Sequence, residues 1–477
     1  MNGVRTVAIS ALALGMLLEG CGRERKLSTT SEEAVHRYLD GVTLTDKFYY
    51  AEAKDAFQKS LAADSTFAMA WARLAALNAN LENEPEALHD IARALRFAPK
   101  VTRREQLFIG MWNDRLHYDT KAAIAAADSL ATLYPDEKEA YLFLGNLYEK
   151  NKEFDASIRS YQKAIVIDST YAPAVMSLGY AYSAINEQEK AIVQMQRYIR
   201  LAPEAADPLA SYADLLVRAG RYEEALVEYR KSLNLKPDYW YAIRQIGNVY
   251  AIMGRLNAAG EQFHRALHLL PASAQLEASG LAADAFLNFH RGKYQEAINQ
   301  YTDALRTDTT SFEAAFGMVY TLGKLHRFAE AERTVSAIER EFERRRLSGS
   351  VAMLGFYLMR SRLLAEEDSL PEALAACRQA LEFSSPLTRG AVFQQMAKIH
   401  LRQSEFEPAL DDCEEALQIN PNAPETLLAL TQIYREKGDL RMTREIGGRL
   451  LDLWNKADPD FVELGTLRHL LSTKHAV

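Results

Sequence analysis

An all-α superhelical solenoid of antiparallel helix hairpins is the fold class this sequence predicts, on three observations. Between Trp240 and Pro271, the residues Ile243, Ile246, Gly247 and Tyr250 recur at helical spacing and Gly254 breaks the helix. A second helix then carries Ala259, Phe263, Ala266 and Leu267 and is ended by Pro271. The same pattern returns with a period of 34 residues along nearly the whole chain. It leaves little sequence for any other domain, although the length alone would predict about three.

Within that hairpin Gly247 and Ala259 are the informative pair. A glycine inside a helix costs about 1 kcal/mol relative to alanine. Its place there predicts that two helices approach closely, with a small residue opposite. Counting Trp240 as position 1 puts Gly247 at position 8, Ala259 at 20, Phe263 at 24, Ala266 at 27 and Pro271 at 32. Units then begin at Ala34, Ala68, Arg104, Lys138, Ala172, Ala206, Trp240, Ala278, Phe312, Leu354, Gly390 and Pro424. This spacing resembles the tetratricopeptide repeat, W-x2-L-G-x2-Y followed by A-x3-F and P. The resemblance implies a helical superhelix whose first-helix positions 2, 5, 9, 12 and 13 line a concave groove for extended or helical peptides.

Composition agrees with a folded repeat chain. Hydrophobic residues at 48% and charged residues at 25% supply a continuous core. The net charge of -8 is mild, and no run of lysine or arginine forms a nucleic-acid footprint, so nucleic acid is not an expected partner. Of the 3 cysteines, Cys377 and Cys413 share position 24 of their repeats. Equivalent positions in stacked repeats lie ~8–10 Å apart or more, beyond the ~4.4–6.8 Å Cα separation of a disulfide. They are expected to be buried thiols.

Taken in order, residues 1–20 read as an export signal: Arg5 is cationic, Val7 to Leu18 is apolar and too short to span a bilayer, and small Gly20 precedes Cys21. Leu18-Glu19-Gly20-Cys21 resembles a bacterial lipobox, with Glu19 departing from the usual small residue. The resemblance implies acylation of Cys21 and anchoring in the cell envelope, facing the periplasm. Gly22, in place of aspartate, points to the outer membrane by the same analogy. An ordinary secretory signal is the alternative. Residues 21–33 form a short polar tether.

Residues 34–277 hold units one to seven, of which four to seven keep the period without insertion. The run from Ser31 to Tyr134-Pro135 resembles the repeat region beside kinase, cyclase and DNA-binding domains of bacterial regulators. Residues 278–353 hold units eight and nine, and insertions at 271–280 and 341–350 are expected to form loops and candidate hinges. Residues 354–458 hold units ten to twelve. The segment 459–477 contains one amphipathic helix, Phe461 to Leu471, expected to cap the last apolar face.

Motifs for nucleotide, zinc, hydrolase and dithiol chemistry are missing from the sequence, so no cofactor or small-molecule substrate is expected. His264 and His268 have a spacing that suits one metal, with no third ligand evident. Recognition remains. By the family resemblance, position 9 lines the groove with Trp112, Asn146, Tyr180, Asp214, Asn248, Phe286 and Tyr320, joined by Phe316 and Arg244 at position 5 and Phe289 at position 12. Aromatic groups dominate interface hot spots, which places the expected site near units eight and nine. Arg244 and Asn248 also resemble half of the carboxylate clamp of some co-chaperones, but Ala283 and Glu313 stand where its next asparagine and lysine belong.

The function expected is a non-catalytic, membrane-anchored scaffold binding a protein or peptide partner in the cell envelope. One alternative is a regulatory or sensor subunit of a separate signalling enzyme. Another is a glycan-acting enzyme using carboxylates such as Asp214 with Glu187.

Overall fold

The computed structural model describes residues 27–47, 49–81, 83–270, 273–345 and 352–472. The export signal, the lipobox with Cys21, Pro271 and most of the second insertion's end lie outside the described residues.

The described residues fold into helices without strands. The first helices of successive hairpins alternate with the second: α1 (Glu32–Asp46) with α2 (Tyr50–Ala63), α3 (Ala68–Asn80) with α4 (Glu84–Phe97), α5 (Arg103–Leu116) with α6 (Thr120–Leu133), and α7 (Lys138–Lys150) with α8 (Phe154–Ile167). Next come α9 (Ala172–Ala184) with α10 (Gln188–Leu201), α11 (Asp207–Arg218) with α12 (Tyr222–Leu235), α13 (Trp240–Ile252) with α14 (Leu256–His268), and α15 (Ala274–His290) with α16 (Tyr294–Thr307). The last are α17 (Phe312–Lys324) with α18 (Phe328–Arg345), α19 (Ala352–Glu366) with α20 (Leu370–Glu382), α21 (Arg389–Arg402) with α22 (Phe406–Ile419), and α23 (Pro424–Glu436) with α24 (Leu440–Leu453), followed by α25 (Val462–Ser472). None of the described helices is long and apolar enough to cross a membrane.

Position 20 explains why hairpins form at this period. From Ala53 and Ala87 through Ala259 to Ala409 it is buried in every unit, with Ser157 and Thr443 as its polar forms. A Cβ added at Gly247 would lie 2.7 Å from Phe263 and 3.2 Å from the Ala259 carbonyl, so the absence of a side chain sets the α13–α14 distance. Each turn between the helices of units three to twelve places position 15 at positive φ, between 55° and 79°. Four of these ten residues are glycines and six are not.

The chain packs as two bodies, divided between Ala140 and Tyr141. In the first, the buried Glu105 carboxylate accepts from the Ser28 amide at 3.0 Å, from the Ser28 hydroxyl, and from the Thr102 amide and hydroxyl at 2.9 and 2.8 Å. Thr29 Oγ1 donates to Asp64 at 2.5 Å. The tether expected over 21–33 is therefore docked from Ser28 onward rather than free.

The second body closes on itself. Its early hairpin turns meet the late connections between repeats, some two hundred residues away. The Asp458 amide donates to the Gly254 carbonyl at 2.9 Å, the Asn257 amide to Asp458 at 2.7 Å, and Trp454 Nε1 to the Ile252 carbonyl at 3.1 Å. Asn422 Nδ2 donates to the Gly220 carbonyl at 3.2 Å and Asn186 Nδ2 to the Gln418 carbonyl at 3.2 Å. Leu256, Ala259 and Leu287 share one apolar cluster with Leu401, Trp454, Phe461 and Leu464. The closing helix α25 buries Leu464 and Leu467 there.

One expectation is corrected. The insertions are not simply loops: residues 274–280 open α15, which is 17 residues long, and 341–345 extend α18, which is 18. Ser273 caps α15 by accepting from the Leu276 amide, and Phe342 holds the α18 extension by packing against Phe312 at 4.8 Å and Phe356 at 5.6 Å between ring centroids. Cys377 and Cys413 are free and buried, and burial pushes their thiols up to about 11 and about 12.

Candidate functional site

In the C-terminal body, five first helices of successive hairpins and α25 line a partly open cavity of about 700 Å³. Helix α15 supplies Phe286, Phe289 and His290, and α17 supplies Phe316, Tyr320 and Lys324. Opposite them stand Leu358, Arg362 and Glu366 of α19, Lys398 and Arg402 of α21, Glu425 and Leu428 of α23, and Glu463 of α25. The aromatic wall is continuous: Phe289 meets Tyr320 edge-on at 5.8 Å, and Phe286 meets His290 at 4.5 Å.

The polar wall is mostly paired. Lys324 reaches Glu366 at 2.5 Å, Lys398 reaches Glu425 at 2.7 Å, and His290 Nδ1 lies 2.7 Å from Glu463. Arg402 is turned to the Ala365 carbonyl and to Asp368 at 3.0 Å. The Lys398 ammonium, with Arg362 and His290 beyond it, holds the Glu425 carboxyl down to about 2, although half of that side chain is open to the cavity. Arg362 lies over the Tyr320 ring, 4.5 Å from its centroid.

Four of the sequence-predicted residues, Phe286, Phe289, Phe316 and Tyr320, come together in this cavity. Arg244 and Asn248 are exposed on α13 and line a smaller pocket of about 180 Å³ that shares Phe286. Ala283 and Glu313 line it too, so the residues compared with a carboxylate clamp do converge, around an anion. Asn146 is exposed and accepts from Tyr161 at 2.8 Å. Trp112 belongs to the first body, where Arg115 lies 4.6 Å from its ring centroid.

Asp214 and Tyr180 are corrected. Asp214 is 8% exposed and accepts from the hydroxyls of Tyr229 at 2.5 Å, Tyr241 at 2.7 Å and Tyr180 at 3.1 Å. It is a packing carboxylate with both oxygens accepting from tyrosines, and position 24 of its own unit is a tyrosine long enough to reach position 9. Glu187 pairs with Lys190 at 3.2 Å. His264 Nε2 lies 3.1 Å from Asp284, and among the described residues no cluster of ligating side chains could hold a metal ion.

Sequence reasoning missed the charged wall, although its signal was available. Position 9 continues past Tyr320 to Arg362, Lys398 and Gln432, position 13 gives Lys324, Glu366 and Arg402, and Glu425 is position 2 of unit twelve.

A helical-repeat solenoid is what this fold defines, with a cavity on the first-helix side of its C-terminal body. Residues 213–254 match the TPR repeat model and residues 119–172 the tetratricopeptide repeat model. The chain belongs to the tetratricopeptide-repeat proteins, and such repeats act as protein-interaction scaffolds, in general without catalysis. Among solved structures, the crystal structure of MamA is 30% identical, covering 33% of this chain and 93% of that chain at a TM-score of 0.30. A tetratricopeptide repeat protein from Parabacteroides merdae is 18% identical, covering 55% and 98% at 0.37. PilW, described as a type IV pilus biogenesis factor, is 16% identical, covering 43% and 93% at 0.37. No curated protein matches the chain.

Proposed function

We propose that this protein is a non-catalytic scaffold of the bacterial cell envelope, anchored through lipid on Cys21, facing the periplasm from the outer membrane, and holding a protein or peptide partner on the concave face of its C-terminal body. The observation that carries the binding half is the cavity itself. An aromatic wall of Phe286, Phe289, Phe316 and Tyr320 shares one partly open cavity with a charged wall on α19, α21 and α23. Its volume falls in the range of about 300–1,000 Å³ typical of ligand sites. Aromatic anchors beside polar groups are the composition that concentrates binding energy in interfaces. The anchoring half rests on the lipobox resemblance at Leu18 to Cys21. Neither half involves nucleic acid, a cofactor or a reaction.

The experiment is crosslinking in whole bacterial cells of the full chain with a C-terminal tag, followed by mass spectrometry of its partners and its own N-terminus. Phe286, 40% exposed and common to both pockets, is the variant to use. Phe286→Ala is expected to lose the principal crosslinked partner while the helical content stays unchanged. Recovery of the same partner at wild-type yield would reject the cavity as its site. Cys21→Ala is expected to move the protein out of the membrane fraction, and an unacylated wild-type N-terminus would reject the anchor.

A further inference from the structure

The contacts that close the C-terminal body form a seam with two parts, and both parts recur where nothing covers them. One part is the turn at position 15, where the last carbonyls of a first helix have no partner inside it. Late connections supply the donors: the Leu387 amide reaches the Ala184 carbonyl at 3.3 Å, Asn422 Nδ2 the Gly220 carbonyl at 3.2 Å, and the Asp458 amide the Gly254 carbonyl at 2.9 Å. The other part is the connection after a second helix. Leu453, at position 30 of unit twelve, packs half-buried on the cluster of units six and seven that holds Val249 and Met253.

Each unit of this body carries a turn and a connection, so the edges left over are of the same two kinds. At position 30 of units six and seven, Leu235 and Leu269 are 46% and 43% exposed. The turns of units eleven and twelve, at Ser404 and Gly438, are exposed as well. Gly438 points to what belongs there. The other glycines at positive φ among the described residues are packed upon: a Cβ at Gly220 would strike Asn420 and Asn422, one at Gly254 would lie 2.5 Å from Phe461, and one at Gly292 3.2 Å from Val462. At Gly438 it would meet nothing within 4 Å. Six of the ten turns take this conformation with a side chain in place. Conformation alone therefore does not call for glycine at 438, whereas a closely packed chain does at the other three.

We propose that a second copy of this chain packs there: the turns of units eleven and twelve of one copy receive the connections after units six and seven of the next. The contact repeats between chains the seam that each C-terminal body makes within itself. A second copy carries the matching edge by construction, in a kind of contact that the seam shows to pack. Covering Leu235 and Leu269 removes apolar surface from water, as happens at Leu453. The contact joins two different edges, so it is heterologous, and every added copy leaves one edge of each kind free. Copies therefore stack into an open row instead of closing as a dimer. The cavity takes no part in this contact, so the proposal stands apart from the scaffold reading above.

The test is sedimentation equilibrium of the full chain in detergent over a wide range of concentration. The wild-type mass is expected to climb past twice the single-chain mass without a plateau. Leu235→Glu combined with Leu269→Glu removes the connection edge, and Gly438→Arg removes the turn edge, so each protein is expected to stay at the single-chain mass. Mixed in equal amounts, the two are expected to reach twice that mass and stop, because one intact turn edge then meets one intact connection edge. Ser404→Arg, at a turn that already bears a side chain, is expected to repeat the turn-edge result without the conformational cost of arginine at Gly438. Thermal melting shows that each variant is folded. Phe286→Ala, which alters the cavity, is expected to associate as the wild type does. A wild-type protein that stays at the single-chain mass or levels off at two chains overturns the proposal. So do edge variants that associate like the wild type, and so does a mixture that remains at the single-chain mass.

Discussion

Asp214 carries the first consequence at the level of single residues. Burial raises its carboxyl above the ordinary carboxylate value, and the three tyrosine hydroxyls only partly oppose this. The folded chain therefore takes up this proton at a higher pH than the unfolded chain does. Asp214 contributes stability that grows as pH falls through its folded value toward the unfolded one, near 3.8, and is lost as pH rises. Asp214→Asn keeps an acceptor for the tyrosines and is expected to flatten that part of the stability profile. Asp214→Ala leaves hydroxyls without an acceptor and is expected to cost about 3 kcal/mol. Denaturant unfolding of both variants at several pH values checks this, and an alanine variant as stable as the asparagine one would show that the hydroxyls find other partners. The same residue marks how far the sequence could be read. Position 9 lay on the groove helix from the repeat register alone, but whether its side chain faces a ligand depends on what position 24 places beneath it. Tyr229 covers Asp214, whereas small Val335 at position 24 of unit nine leaves Tyr320 at position 9 for the cavity.

At the level of the hairpin, the decisive feature is position 15, where the chain turns from first to second helix. Sequence inspection found it as a glycine at Gly254, yet Lys152, Asn186, Asp368 and Ser404 take the same left-handed conformation. The repeat geometry imposes it on whatever residue stands there, at about 1–2 kcal/mol for a residue with a side chain. That cost is invisible in a search for glycine, and so are the lengths of α15 and α18, where inserted residues with helical propensity prolonged a helix instead of making a loop. Two glycines at this position separate conformation from packing. A Cβ at Gly438 would meet nothing within 4 Å, whereas one at Gly254 would lie 2.5 Å from Phe461 and 2.7 Å from Ala457. Gly438→Ala is expected to cost about 1 kcal/mol and Gly254→Ala clearly more, because it also forces Phe461 aside. Thermal melting of the two proteins decides it. Equal losses would mean that Phe461 yields freely and that the Gly254 turn holds nothing but its own conformation.

The scale above the hairpin is the closed C-terminal body, and it was not legible in the sequence. A repeat pattern reports neighbours, since each unit packs on the next and stability is ordinarily a sum over adjacent pairs. It has no term for residues that meet about 200 positions apart in the chain. The closure uses Trp454, Asp458 and Glu463, each unremarkable by register: they follow the last second helix or sit in the terminal helix read only as a cap. Closure changes what the cap helix does. By bringing Glu463 to His290 it completes the cavity wall, so the element that ends the solenoid also finishes the site. It also couples distant repeats. Trp454 is 2% exposed, meets Phe461 edge-on at 5.1 Å and donates to the Ile252 carbonyl. Trp454→Ala is expected to cost about 3–5 kcal/mol, as large-to-small substitutions of buried aromatics do. More tellingly, it is expected to raise amide exchange at the turns around Gly220 and Gly254, far from the substitution in sequence, because these lose the partners that now protect them. A nearest-neighbour solenoid would confine the change to units eleven, twelve and α25. Unaltered exchange at Gly254 in Trp454→Ala would therefore show that these long-range contacts are passive, and that the cavity's last wall is held by the repeats beneath it.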